Sequence, residues 1–117
     1  MWIFTPVGFF SVIKKEYDAE DEVTIRSRVR SDIETLKQHI PSMSPIKEDR
    51  NADYWYRATA KQEDFAQAVA QFAREINYAN FKNEVAAKQG QERANRYGEI
   101  WSVMYELQQD EGQSHIR

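Results

Sequence analysis

The stretch Val23–Arg30, VTIRSRVR, changes character at every residue. Val23, Ile25, Ser27 and Val29 fall on one side; Thr24, Arg26, Arg28 and Arg30 fall on the other. Successive side chains of a strand point to opposite faces, so an apolar row backed by a basic row predicts a half-exposed strand. Such a strand needs a sheet with one packed face and one wet face. The pattern therefore commits the chain to a sheet.

Two further strands follow from the same rule. Trp2–Phe4 and Phe9–Ile13 are apolar on both faces, which predicts a central strand with Pro6 and Gly8 marking a bulge or bend in it. Lys14–Glu22 is polar and acidic and reads as a surface turn. Asp53–Arg57, DYWYR, opens a third strand over 54–60. Its alternation sends Tyr54, Tyr56 and Ala58 under the helices, and Asp53, Trp55, Arg57 and Thr59 outward.

Between and after these lie helical signals. Ser31-Asp32-Ile33-Glu34 has the form of a capping box, followed by Ile33, Leu36 and Ile40 at helical spacing and a stop at Pro41. Lys47–Ala52 reads as a charged loop. From Gln62 on, Phe65, Ala68, Val69, Phe72, Ala73 and Ile76 line one helical face. Asn77–Asn80 breaks that helix, and Asn80 is placed to cap a short helix ending at Gly90. A last helix carries Tyr97, Ile100, Trp101, Met104 and Leu107, with a frayed tail expected from about 109.

The predicted class is α+β, in the order β-β-α-β-α-α, as a single domain over 1–117. A strand-helix-strand crossover makes the second and third strands parallel, with the first between them and antiparallel to both. That gives a three-stranded, mainly antiparallel sheet of order 2-1-3, close to half of a ferredoxin-like sandwich, with helices on one face.

Composition removes several functions. The chain has no cysteine, so disulfides, thiolate nucleophiles and Cys-based zinc sites are excluded. Sixteen basic against 19 acidic residues give a net charge of −3, which argues against a general nucleic-acid binder. In the apolar opening the lysines follow the hydrophobic run, Pro6 and Gly8 interrupt it, and it is shorter than the roughly 20 residues of a membrane span. Neither a signal peptide nor a membrane partner is expected, and a cytoplasmic location is. His39 and His115 are the two histidines, Ser11 has no evident base, and Gly8, Gly90, Gly98 and Gly112 are scattered. No catalytic residue, metal ligand or cofactor is expected, and the protein reads as non-enzymatic.

The outward face then holds the candidate binding residues Arg26, Arg28, Arg30, Trp55 and Arg57. A solvated face is one reading, since long Arg stems shield apolar sheet. Tryptophan and arginine are also enriched where proteins bind proteins. The expectation carried forward is a protein-interaction or self-association module, a homodimer included. Single-stranded nucleic acid, held by aromatic stacking and arginines, is an alternative. A small anionic ligand held bidentately is another.

MWIFTPVGFFSV at the start, DYWYR mid-chain, and INYANFKNEVAAKQG before YGEIWSVMYEL together resemble a group of short, uncharacterised bacterial proteins of about this length. The resemblance covers most of the chain and implies a bacterial cytosolic protein. It implies no activity, cofactor or site residue.

Overall fold

The computed structural model describes residues 1–114, and His115 lies outside them. The chain is α+β and divides into two compact units, Met1–Asn77 and the segment from Tyr78 on.

The first unit holds β1 (Trp2–Thr5), β2 (Gly8–Ile13), β3 (Glu22–Ser27), α1 (Arg30–His39), β4 (Lys47–Glu48), β5 (Tyr56–Lys61) and α2 (Gln62–Arg74). The sheet has five strands in the order β1-β2-β3-β5-β4, and every neighbouring pair is antiparallel. Both the expected three strands and the expected order 2-1-3 are corrected. The apolar N-terminal run is a hairpin, not one bent strand. Thr5 Oγ1 accepts the N–H groups of Val7 (3.1 Å) and Gly8 (3.2 Å), which closes a turn over Pro6 and Val7. With both faces apolar, the run carries no alternation that would betray the reversal.

The second correction concerns direction. β3 and β5 were expected to be parallel, yet they pair antiparallel from Glu22↔Lys61 to Ser27↔Tyr56. The crossover rule holds, but for a different strand. β4 pairs antiparallel with β5, so it runs parallel to β3 after α1, and β5 turns back between them. β4 is two charged residues long within the stretch that reads as a loop. Its pairing is extended by the Ser44 N–H donating to Thr59 O (2.9 Å) and the Thr59 N–H donating to Ser44 Oγ (2.8 Å).

The sheet's packed face presents Phe10, Val12, Val23, Ile25, Tyr56, Ala58 and Ala60 to Ile33, Leu36 and Ile40 of α1 and its end, and to Phe65 and Ala68 of α2. Alanines on β5 leave room for the helices, and the stripe of α2 matches its apolar spacing up to Phe72. Ile76 falls beyond the helix end and is exposed. α1 begins at Arg30 with Val29 as N-cap and no side-chain cap, so Ser31 and Glu34 form no capping box. Asp32 takes over the first turn. Its buried carboxylate accepts the Phe9 N–H (3.1 Å), tying the helix start to the hairpin.

The second unit is a helical hairpin, α3 (Phe81–Gln89) and α4 (Gln91–Ser114). Asn80 caps α3 by accepting the Asn83 N–H at 3.0 Å, as the sequence predicts. Gly90, at φ +101°, ends it and α4 follows at once. Val85, Ala94 and Tyr97 are the buried side chains, and the Phe81 and Tyr97 rings stack at 6.2 Å. α4 remains helical to Ser114, past the position near 109 where fraying was expected. Among the described residues, no helix is long and apolar enough to cross a membrane.

Candidate anion site

Arg26 of β3 and Arg57 of β5 are register partners. The adjoining pair, Ile25↔Ala58, faces the core, so the pleat sends both guanidinium groups to the opposite side of the sheet. Ser11 of β2 pairs with Arg26 from the other flank, and its Oγ accepts an Arg26 Nη2 hydrogen at 2.6 Å.

Tyr54 is the centre of this group. The Arg26 guanidinium lies 4.6 Å and that of Arg28 4.1 Å from its ring centroid. The segment is also held by its carbonyls: Arg28 Nη1 donates to Asp53 O (2.7 Å) and Arg57 Nη2 to Tyr54 O (3.3 Å). Tyr54 is 3% exposed and lies outside the main apolar core. Its expected place under the helices is therefore corrected. The strand starts at Tyr56, so Tyr54 escapes the alternation and turns to the arginine side.

No known family matches the chain, and neither a curated protein nor a solved structure is significantly similar to it. The site must be judged on its own chemistry.

Among the described residues, no carboxylate pairs with Arg26, Arg28 or Arg57. Like charges directly opposite on paired strands destabilise a sheet. Arg26 Nε, Arg57 Nε and the Tyr54 hydroxyl are buried without a hydrogen-bond partner. A buried unsatisfied polar group costs about 1–3 kcal/mol, and more when charged. Among the described residues, the three such atoms all belong to these neighbouring side chains. Guanidinium edges are shaped for bidentate contact with carboxylate or phosphate, the groups that would satisfy these donors.

The other two predicted residues belong elsewhere. Arg30 opens α1, so the alternation of the strand has ended before it. Its guanidinium lies 5.0 Å from the Tyr56 ring centroid and pairs with Glu48 (2.8 Å) and Glu34 (3.5 Å). Trp55 is 40% exposed, with the Arg50 guanidinium 4.3 Å from its centroid, and Arg50 Nε donates to Glu48 Oε2 at 2.9 Å. Hydrogen bonds from Arg30 first and Arg50 second hold the Glu48 carboxyl below its ordinary range. Glu48 in turn raises both arginines. This second cluster is charge-compensated, and the first is not. Sequence reasoning missed Tyr54 and Ser11 as members of the site, and Glu48 and Arg50 as the groups that neutralise Arg30 and cover Trp55.

A cleft of about 380 Å³ lies where the end of α1 meets α2, lined by His39, Ser42 and Asp64 among others. Ser42 Oγ donates directly to Asp64 Oδ2, and the His39 ring packs edge-on against Phe72. The serine is thus tied to the carboxylate directly, without a histidine between them as in a serine triad.

Proposed function

We propose that this protein acts by binding, without bond-making chemistry of its own, and that Arg26, Arg28 and Arg57 around Tyr54 take an anionic group, a phosphate or a carboxylate. The observation that carries this is the opposed pair Arg26↔Arg57, without a carboxylate partner and with its Nε atoms buried and unsatisfied. An anion at the guanidinium groups cancels the repulsion, and the buried Nε atoms reach it as the side chains turn outward. Trp55 and Arg30 drop out of the recognition surface, because Arg50 and Glu48 already occupy them. The nucleic-acid reading would have to use the exposed Trp2 ring, opposite Ser11 on the same face, because the Tyr54 ring already carries two guanidinium groups.

The test is a thermal-shift and calorimetric titration with inorganic phosphate and with citrate, against sodium chloride at matched ionic strength. Ligand at about 100 times its Kd stabilises by about 2.7 kcal/mol. Arg57→Met should abolish that gain while changing the ligand-free protein little, since it removes a like charge together with the hydrogen bond to Tyr54 O. If neither anion exceeds the chloride control, the proposal is wrong. Tight binding of a single-stranded oligonucleotide with a steep salt dependence would instead favour nucleic acid.

A self-association reading is favoured by a separate feature, the uncovered length of α4.

A further inference from the structure

In α4 every residue from Glu99 to Gln113 is exposed. That run includes Ile100, Trp101, Val103, Met104, Tyr105 and Leu107, each 41–60% exposed. α3 cannot cover them. It has nine residues against the 24 of α4, and its first turn reaches only to Tyr97 and Trp101. A run of exposed apolar side chains this dense marks an interaction surface on a monomer. An isolated helix of about 12–15 residues is marginal in water, so this stretch gains from a partner.

The order of the side chains says which partner. At 100° per residue, Arg96, Ile100, Val103, Met104, Leu107 and Glu111 fall on one face of α4. Their spacings read 4-3-1-3-4, the same in either direction. The face is apolar in the middle, basic at its start and acidic at its end. Laid antiparallel on itself, it sets Ile100 against Leu107, Val103 against Met104, and Arg96 against Glu111, each pairing made twice by the two-fold axis. Arg96 makes an exposed pair with Glu92 at 3.7 Å, and such surface pairs are cheaply exchanged. A parallel arrangement would instead stack Arg96 on Arg96 and Glu111 on Glu111.

We propose that α4 is a self-complementary dimerisation helix, and that its occupant is α4 of a second copy, packed antiparallel about an axis between Val103 and Met104. This stands independently of the anion site, which lies in the other unit.

The test uses the full chain. Sedimentation equilibrium across a concentration series should give a dimer. Leu107→Glu should raise its dissociation constant by about a hundredfold or more, since two buried leucines are lost per dimer. Arg96→Glu and Glu111→Arg should each weaken the dimer, and the two together should restore it. Recovery by the charge swap separates pairing from misfolding. The chain lacks cysteine, so engineered thiols report orientation cleanly. Ile100→Cys mixed with Leu107→Cys should cross-link on oxidation, while Ile100→Cys alone should not. In the antiparallel register its two copies lie about 10 Å apart along the axis, beyond the roughly 7 Å limit of a disulfide. A monomer at all concentrations, a dimer indifferent to Leu107→Glu, or self-cross-linking of Ile100→Cys would each overturn the proposal.

Discussion

Gly8 joins the first hairpin to the start of α1, and the cost of changing it can be worked from distances. Its φ is +153°, and a Cβ built there would lie 2.5 Å from Asp32 Cγ, 2.7 Å from Asp32 Cβ and 2.9 Å from Asp32 Oδ2. Asp32 is buried and cannot swing into solvent without releasing the Phe9 N–H. Gly8→Ala therefore combines backbone strain of about 1–3 kcal/mol with overpacking of about 1–3 kcal/mol. We expect a loss of about 3 kcal/mol, which at an m-value of about 2 kcal/mol/M moves the urea midpoint down by about 1.5 M. A double-mutant cycle locates the cost. Asp32→Ala leaves the offending Cβ in place, so it should rescue Gly8→Ala only in part. Asp32→Gly removes all three close atoms, and Gly8→Ala on that background should cost only the backbone strain, a coupling of about 1–3 kcal/mol. A Gly8→Ala midpoint equivalent to less than about 0.5 kcal/mol of change would refute the reasoning. An equal cost on both backgrounds would assign all of it to φ and none to Asp32.

Glu48 should make the fold sensitive to acid. Its carboxyl is held down by Arg30 and Arg50, so its contribution is complete above the ordinary glutamate value of about 4.3 and disappears as pH falls through the lowered folded-state value. All three side chains reach solvent, so the effect is small and weakens with salt. In urea titrations between pH 7 and 3, the gap between the native chain and Glu48→Gln should close at the acid end, and a gap constant over the range would contradict it. Tyr54→Phe removes a buried hydroxyl that satisfies nothing while keeping the ring under Arg26 and Arg28. It should leave stability unchanged or raise it by about 1 kcal/mol. A loss of 2 kcal/mol or more would mean that the hydroxyl has a partner in solution.

What the sequence made legible is set by how far each pattern reaches. Alternation placed Ile25 and Ala58 in the core and Arg26 and Arg57 on the far side, and helical spacing found the packed faces of α1 and α2. Alternation holds only inside a strand, however, and the ends of a strand are set by its neighbours. β3 stops at Ser27 and β5 starts at Tyr56, so Arg30 and Tyr54 were assigned by a rule that no longer applied to them. β4 could not be read at all. Lys47 and Glu48 have no apolar face to alternate, and they become a strand only because β5 offers an edge.

The site itself depends on register, which neither alternation contains. Sliding β5 by two residues keeps every side chain on its face but sets Arg26 opposite Trp55 and Arg57 opposite Thr24, or Arg26 opposite Thr59 and Arg57 opposite Arg28, so the Arg26↔Arg57 pair belongs to the observed register alone. The observed register is held from the core side, where large residues meet small ones: Ile25 with Ala58 and Val23 with Ala60. Those contacts leave the opposite face no choice. Packing that favours the core thus imposes a repulsive pair on the outside. The sequence offers that pair one tyrosine ring, a serine hydroxyl and a backbone carbonyl in place of a carboxylate, which leaves its positive charge uncompensated.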